Sequence, residues 1–533
     1  MTSSSDPTSQ NVDEHVQNIP KEAVTPHDSS GGKPPVTILE DRKTSIAADS
    51  DTEPQTQAAE VERPYSSFTK NEKWFIVILA AIGGIFSPLA SSGYFPAIPT
   101  MAQEFHKSIE LMNLTVTVYM VLQGVGPMIW GPICDRWGRR LVFLACLFIL
   151  ALSCVGLALT PTNAYWLLML LRCVQAFGSA STIAIGAGVI ADIAAQSERA
   201  GFYGLYSIGP TFGPCIAPVI GGGLVQGLGW RAIFWFLCIC SGVWFTVMLL
   251  FFPETLRAMV GDGSIPPPRY ARALIPIVGH RNQDSKSERP PPKPLANPFK
   301  IFLNLDVDAI LLSNAIINAV FFGVIASISS LFSEVYPFLN TTDIGLCFLT
   351  IGGGSVVGSI VTGKVLDREY RSVKASYEKK LLAQGRTVES INIKDEDFPV
   401  EVARFRSMPI YLGILAAACI GYGWCLEKAV NLAGPLILLF LVGYCGIAIL
   451  NGAQTLLVDL LPTQGSSITA CNNFVRCGLA AALVSVIDLI IKGVGMGWTY
   501  VILGLLCFLN VPLIIFVIYV GPKLRAKRNL KAR

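Results

Sequence analysis

Twelve times along this chain an apolar stretch of close to twenty residues recurs, and that repeated length decides the solvent before it decides the fold. The stretches lie at roughly 74–95, 111–133, 141–160, 166–190, 203–225 and 231–252, then at roughly 305–332, 343–365, 408–425, 433–458, 467–491 and 497–520. About twenty apolar residues wound as a helix are what it takes to cross the hydrocarbon of a bilayer. Composition agrees: 52% of the 533 residues are apolar and only 15% are charged, where ordinary globular sequences carry roughly 25%. The fold class expected is an all-α polytopic membrane protein of twelve transmembrane helices in two groups of six.

What lies between the runs sets the organisation. Residues 1–64 are rich in Ser, Thr, Pro, Gln and Glu without an apolar run, the composition of a disordered tail, and they lack the apolar core of a signal peptide. The first bundle then occupies 65–253. A polar segment at 254–304 holds Pro266-Pro267-Pro268 and Pro290-Pro291-Pro292, which favour extended backbone, discourage a packed domain and read as a linker. The second bundle, 305–520, carries a charged loop at 368–407, and a basic tail follows at 521–533. Twelve spans put both ends on one side. Thirty-five of the 41 Lys and Arg residues fall in the tails, the 134–140 turn, the linker, the 364–407 loop and at Arg199, whereas the opposite loops hold Lys107, Arg231, Lys428 and Lys492. Positive charge is retained in the cytoplasm, so both termini are expected there, with Lys523 to Arg533 against an anionic leaflet. Two Asn-x-Thr sequences, Asn113 and Asn340, then fall on the external side, and Asn340 lies in a loop as the candidate for glycosylation.

Other classes of function find little support. The fourteen cysteines are scattered through apolar stretches with no C-x-x-C pair, so neither a disulfide framework nor a zinc site is suggested. His15, His27, His106 and His280 all lie outside the apolar runs, which argues against a metal cluster or a histidine relay in the membrane. Gly358-x-x-x-x-Gly363-Lys364 looks like a phosphate loop only as far as Val365, which has no hydroxyl for magnesium, and no strand precedes it. With no nucleophile and base and no clustered acids in the runs, neither an enzyme nor a cofactor is expected, and nothing implies a nucleic-acid partner.

The two halves repeat one another. The step out of the second run reads Gly131-Pro132-Ile133-Cys134-Asp135-Arg136, and the step out of the eighth reads Gly363-Lys364-Val365-Leu366-Asp367-Arg368. The same G-x-x-x-D-R at the same topological position is the internal symmetry of transporters built as repeats about a central substrate site. From about 65 to 520 the chain resembles the major facilitator superfamily: Gly131 to Arg140 is similar to its loop signature G-x-L-x-D-R-x-G-R-R, with Ile133 in place of leucine. Arg172-x-x-Gln175-x-x-Gly178 is similar to the family's R-x-x-Q-G motif, with Ala176 where glycine is expected. Gly209-Pro210-x-x-Gly213-Pro214, followed by Pro218 and Gly221-Gly222, resembles the signature of the antiporter branch. With Tyr94-Phe95-Pro96 and Asn472-Asn473-x-x-Arg476, these look like fungal twelve-span drug:proton antiporters of the quinidine-resistance type. The resemblance implies two pseudo-symmetric six-helix bundles, alternating access and proton-coupled export.

A turn that sets a carboxylate among guanidinium groups can separate two conformations by breaking and remaking ion pairs. By resemblance, Gly131, Asp135, Arg136, Gly138, Arg139 and Arg140 form such a latch. Asp135 and Arg139 would join the inner ends of the halves in the outward-open state, the glycines would permit close approach, and Asp367 and Arg368 are a partial copy. Gly209, Gly213 and Gly221 offer a thin face for helix contact, and Pro210 and Pro214 each remove a helix hydrogen bond, which suits a hinge as well as plain packing. Arg172 and Arg476 lie deep in runs four and eleven; such charges are expensive in hydrocarbon and are expected to face a polar cavity. Gln123, Gln175, Asn314, Asn318, Asn451, Gln454, Asn472 and Asn473 either orient a substrate or tie helices together. Asp192, Asp308, Asp459 and Asp488 all fall near the ends of their runs, so coupling rests on the resemblance, with a protonatable substrate or Asp308 as carrier.

The expectation is a secondary active transporter that exports a small organic molecule, such as a drug, toxin or secondary metabolite, by proton antiport. Its partners are that molecule, protons and the bilayer, and a monomer is expected. Two arginines without a central carboxylate favour an anionic or neutral, carbonyl-rich substrate over a cation. The plasma membrane is the expected location and the vacuolar membrane the alternative. A transporter or facilitator for one organic acid, amino acid or polyamine, and a sensor of transporter shape, are the rival readings.

Overall fold

The computed structural model describes residues 65–194, 198–278, 298–383, 398–461 and 465–532. Twelve helices are long and apolar enough to cross a membrane, and no strand occurs among the described residues. The first six are α1 (Lys70–Ser92), α2 (Ile109–Trp137), α3 (Arg139–Leu159), α4 (Tyr165–Ser179, resuming at Ser181–Ile193), α5 (Arg199–Leu228) and α6 (Arg231–Phe251). The second six are α7 (Leu305–Val335), α8 (Thr341–Ala383), α9 (Met408–Glu427), α10 (Ala433–Leu460), α11 (Gly465–Val494) and α12 (Met496–Phe508, resuming at Asn510–Ala532). Hydrocarbon offers the backbone no partners, so each segment satisfies its own N–H and C=O groups as helix. Starts are set by side chains: Thr69 and Glu72 close a capping box on α1, and Asn340 Oδ1 accepts the Asp343 N–H at 2.9 Å to cap α8.

The repeat seen in the sequence is repeated in the packing. Within the first half α1 lies on α5, α3 on α6 and on α4, and α2 on α4; six helices later α7 lies on α11, α9 on α12 and on α10, and α8 on α10. Two pairs make most of the contact between the halves, α2 with α11 and α5 with α8, and they too are related by the shift of six. The chain is therefore two six-helix bundles about a pseudo-two-fold axis.

Helix α5 is held on two faces without clearance. A methyl built on Gly209 would lie 2.7 Å from Ile85 Cγ1, on Gly213 2.4 Å from Pro88 Cγ, and on Gly221 2.1 Å from the Gly93 carbonyl oxygen, all along α1 and its end. The other face meets α8: a methyl on Gly222 would lie 2.6 Å from the Thr341 carbonyl oxygen, and one on Gly352 2.3 Å from Cys215 Cβ. Pro210, Pro214 and Pro218 all sit inside α5, which continues as one helix through them. Gly358, read as part of a false phosphate loop, instead brings α8 within contact of the Tyr444 backbone on α10.

The segments between the bundles hold more structure than their composition suggests. Of the expected linker, residues 254–278 pack instead of running extended: Glu254, Leu256, Val260 and Ala271 are buried, with helical turns at Arg257–Val260 and Arg269–Ala271. Buried apolar contacts at Leu256 and Val260 outweigh the prolines there. Helix α8 does not end with its apolar run but continues to Ala383, about 65 Å of helix at 1.5 Å per residue against about 30 Å of hydrocarbon. The residues set apart as a basic tail continue α12 to Ala532. The expected tail at 1–64, the linker residues 279–297 and the loop residues 384–397 lie outside the described residues.

Gly221→Ala drives a carbon into the Gly93 carbonyl and is expected to cost about 1–3 kcal/mol, as overpacking does, read as a lower unfolding temperature of the detergent-solubilised protein. Gly227→Ala, on the same helix with no atom within 4 Å of the added carbon, is expected to show no such loss.

Candidate functional site

Contact between the halves is concentrated away from the basic end, meaning the end that carries the 134–140 turn, the 254–278 segment and the last turns of α12. Along α2 and α11 the contacts are polar: Glu110 with Lys492 at the far end, then Asn113 Nδ2 donating to Asp488. Thr117 Oγ1 lies 3.0 Å from Ser485 Oγ, and in mid-helix Asn473 Nδ2 donates to the Gln123 carbonyl at 2.9 Å. Between α5 and α8 the Thr342 N–H donates to Gln226 Oε1 at 3.1 Å. Toward the basic end a methyl built on Gly131 of α2 or Gly363 of α8 meets no atom within 4 Å.

Arg172 does not look into a shared cavity. It is 0% exposed, with its guanidinium carbon 4.3 Å from the Tyr94 ring centre and 4.4 Å from that of Tyr119. Its Nη1 donates to Gln175 Oε1 at 2.5 Å and to the Ala90 carbonyl at 3.3 Å. Tyr94 and Tyr119 are in turn hydrogen-bonded to Thr115 and Ser179. Two aromatic faces stabilise a desolvated cation by roughly 0.5–2 kcal/mol each, which lets a charge stand in the middle of an apolar half. Cation and rings come from α4, from α2 and from the turn just after α1, so the cage fastens the first half together. Gln175 belongs to it, its Nε2 reaching Cys154 Sγ at 3.3 Å.

The second half answers with amides. Asn314 Nδ2 donates to Asn472 Oδ1 at 2.8 Å, Asn472 Nδ2 to Gln454 Oε1 at 2.6 Å, and Gln454 Nε2 to Thr469 Oγ1 at 3.1 Å. Beside this chain Asn318 Nδ2 donates to the Arg476 carbonyl at 3.2 Å, and Arg476 Nη2 donates to Asn473 Oδ1 at 3.1 Å. Asn451 Nδ2 reaches Ser359 Oγ at 3.1 Å. Polar side chains of α7, α10 and α11 are thus linked to one another, and Asn318 and Asn473 bond to Arg476, which is partly exposed and keeps a buried Nε without a partner among the described residues. Gln123 contributes through its backbone. The two arginines expected to share one cavity have no partner in common, because the tyrosines close over Arg172.

At the basic end the 134–140 turn folds back on its own half. Arg139 pairs with Asp135 at 2.7 Å and Asp192 at 2.8 Å, while Arg140 donates to the Phe252 and Leu249 carbonyls. The buried Glu254 carboxylate receives the backbone N–H groups of Arg139 and Arg140 at 2.8 and 3.1 Å, and those of Thr255 and Leu256. Burial pushes the Glu254 carboxyl up, against the pull of those four donors. Gly138 is required twice over, by a φ of +108° and by the 2.3 Å between an added methyl and Glu254 Oε2. Gly131 makes no close approach in this conformation, and Arg136 is exposed. In the second half Asp367 and Arg368 are exposed; the ion pair that stands where Arg139–Asp192 stands is Arg404–Asp459, at 2.9 Å. Arg525 with Glu401 at 3.5 Å, and Arg528 with Asp306 at 2.7 Å, tie the end of α12 to the same region.

Comparison with known proteins matches this architecture: the profile described as Major Facilitator Superfamily covers residues 80–485. The chain belongs to the Major Facilitator Superfamily. It is 36% identical to the MFS-type transporter phiD of Fungal sp. (strain ATCC 74256), over 98% of this chain and 81% of that one. It is 34% identical to Citrate exporter 1 of Aspergillus niger over 97% of each chain, and 32% identical to the MFS antiporter QDR2 of Candida albicans over 87% of this chain and 91% of that one. It is a secondary transporter, and the superfamily's loop signature is the turn that Glu254 and Asp192 now organise. Sequence reasoning passed over Glu254, whose signal was an acid placed directly after an apolar run, and over Tyr94 and Tyr119 as the walls around Arg172. Asn113, counted as an external Asn-x-Thr, is 1% exposed between α2 and α11, which removes it as an acceptor.

The two arginines are expected to behave differently on truncation. Arg172→Ala should cost roughly 2–4 kcal/mol, a cavity plus two lost ring contacts, measured by thermal unfolding of the purified protein. Arg476→Ala, at a partly exposed site, should stay within about 1 kcal/mol of the parent.

Proposed function

We propose that the chain exports a small organic anion, or a neutral carbonyl-rich molecule, in exchange for protons across the plasma membrane, with the basic end and both termini in the cytoplasm. The observation that carries this reading is the one-sided closure. Hydrogen bonds between the halves run from Glu110–Lys492 at the far end to Asn473–Gln123 in mid-helix, and the loop signature pairs within its own half. In this orientation the conformation takes its substrate from the cytoplasm. Substrate contacts come from Arg476 with Asn314, Asn318, Gln454, Asn472 and Asn473, whose mutual hydrogen bonds are exchanged for bonds to the substrate. Similarity to a citrate exporter along nearly the whole of both chains favours carboxylate recognition by Arg476. In the outward-open state the Asp135–Arg139 pair is remade across to the other half, with α5 rolling between α1 and α8 as the hinge.

In inside-out vesicles with an acidified lumen, citrate is expected to accumulate through this protein and to stop accumulating when a protonophore collapses the gradient. Preference for a quaternary ammonium over citrate overturns the anion reading, and purified protein that moves nothing under any gradient supports a sensor. Arg476→Ala is expected to reduce flux at least tenfold with unchanged surface abundance. Orientation has its own check: Asn340 is exposed at the far-end start of α8, so a glycosidase-sensitive mobility shift, lost in Asn340→Gln, is expected from protein made in a secretory host.

A further inference from the structure

Asp488 lies on α11 about a turn and a half before its far end. It is 7% exposed, and Asn113 opposite it on α2 is 1% exposed. Asn113 Nδ2 donates to Asp488 Oδ2 across the junction of the halves. The other amide atom, Asn113 Oδ1, is buried and has no hydrogen-bond partner among the described residues. A carboxylate only accepts, so it can meet an amide through a single N–H bond; a neutral carboxylic acid both accepts and donates, and meets an amide through two. A hydrogen on Asp488 supplies the donor that Asn113 Oδ1 lacks. A carboxylate left there with one amide donor is costly to bury. The neighbouring cation offsets this only in part, because Lys492 is itself paired with Glu110, whose own negative charge opposes one on Asp488.

We propose that Asp488 is a proton-binding site that holds the far end of the transporter closed while protonated, and that loss of its proton frees α11 from α2. The charged and titratable groups around it are Glu110 of α2, Lys492 of α11 and Tyr500 of α12, with Glu334 of α7 facing Lys492. In the release step the O–H bond of the carboxylic acid breaks and its proton passes to water, with the Thr117 and Ser485 hydroxyls, 3.0 Å apart and one turn nearer mid-membrane, leading away from the junction. The negative charge then left on Asp488 repels Glu110 and has a single donor, so water entering between α2 and α11 becomes the better partner. Reclosure takes a proton from the far side. That order, proton taken from one side and given up toward the other, makes Asp488 the coupling acid of the exchange proposed above. The assignment of coupling rests on that reading; the proton site does not.

Closure of the far end is favoured at acid pH and lost as the medium becomes alkaline. Spin labels on Gln226→Cys and Thr342→Cys, across the α5–α8 junction and away from Asp488, report opening by pulsed dipolar spectroscopy of the full chain in lipid nanodiscs, with the chain lacking these changes as background. The parent is expected to give one short distance in acid and a second, longer population that grows with pH. Asp488→Asn, an amide in place of the neutral acid, is expected to hold the short distance at every pH. An infrared carboxylic-acid band that titrates away with pH in the parent, is shifted in Asp488→Glu and is missing in Asp488→Asn identifies the proton's seat. A parent with no pH-dependent opening, or an Asp488→Asn protein that opens with pH as the parent does, overturns the proposal. Should Asp488→Asn fail to fold, an infrared titration of the parent and Asp488→Glu without a distinguishing band overturns it equally. Neither readout uses a transported molecule, so export can fail while the proton site stands, and the reverse.

Discussion

Everything in this molecule hangs on two helix pairs, α2 with α11 and α5 with α8, because they carry most of the contact that holds one six-helix bundle to the other. Symmetry makes them equivalent in position, yet their chemistry differs. The α5–α8 pair is steric: Gly222, Gly345 and Gly352 leave no room for a methyl, and the backbones touch. Such a surface can roll but has no looser arrangement to slide into, since close-packed interfaces switch between discrete states. The α2–α11 pair is built of Glu110, Asn113, Thr117, Ser485, Asp488 and Lys492, groups for which water is an acceptable substitute. In the exchange proposed above, one pair serves as a pivot and the other as a fastening that solvent can undo.

Each bundle, by contrast, is locked to itself. In the first half the Glu254 carboxylate, just past α6, gathers the N–H groups that begin α3. In the second half Arg525, on the last helix, reaches Glu401 just before α9. The same two places are tied in both halves with the charges exchanged, and an Arg–Asp pair stands beside each tie, Arg139–Asp192 and Arg404–Asp459. Selection for a rigid half does not require a particular sign at a particular residue, only that a buried charge meets its donors or its opposite. The caged Arg172 and the amide chain from Asn314 to Thr469 rigidify the interiors of their halves in the same way, one with aromatic faces and one with hydrogen bonds.

The sequence made the twelve spans legible because a twenty-residue apolar run has one physical use, and it made the two-fold repeat legible through Gly131 to Arg136 and Gly363 to Arg368. It hid what depends on tertiary contact. Arg404 pairs with Asp459 as Arg139 pairs with Asp192, but it sits 36 positions beyond Arg368, out of reach of the local motif, which matches only Gly131, Asp135 and Arg136 with Gly363, Asp367 and Arg368. Tyr94 and Tyr119 meet Arg172 from the turn after α1 and from α2, and no spacing along the chain encodes that. Asn113 matched a surface motif and is buried, since three residues of pattern carry no burial. Helical structure outside the membrane was equally invisible: the end of α8 and the end of α12 are polar, and a hydropathy pattern stops where the lipid stops.

Helix α8 gives that last point mechanical weight. It is anchored at its far end against α5, where Gly345 and Gly222 touch, and it runs on without a break to Ala383. A rod fixed near one tip converts a small rotation of its bundle into a large sweep of the other tip, and here that tip projects well past the hydrocarbon. The motion that admits or expels a molecule between the bundles is therefore displayed, amplified, in the aqueous phase, where another macromolecule could feel it or oppose it without ever touching the membrane.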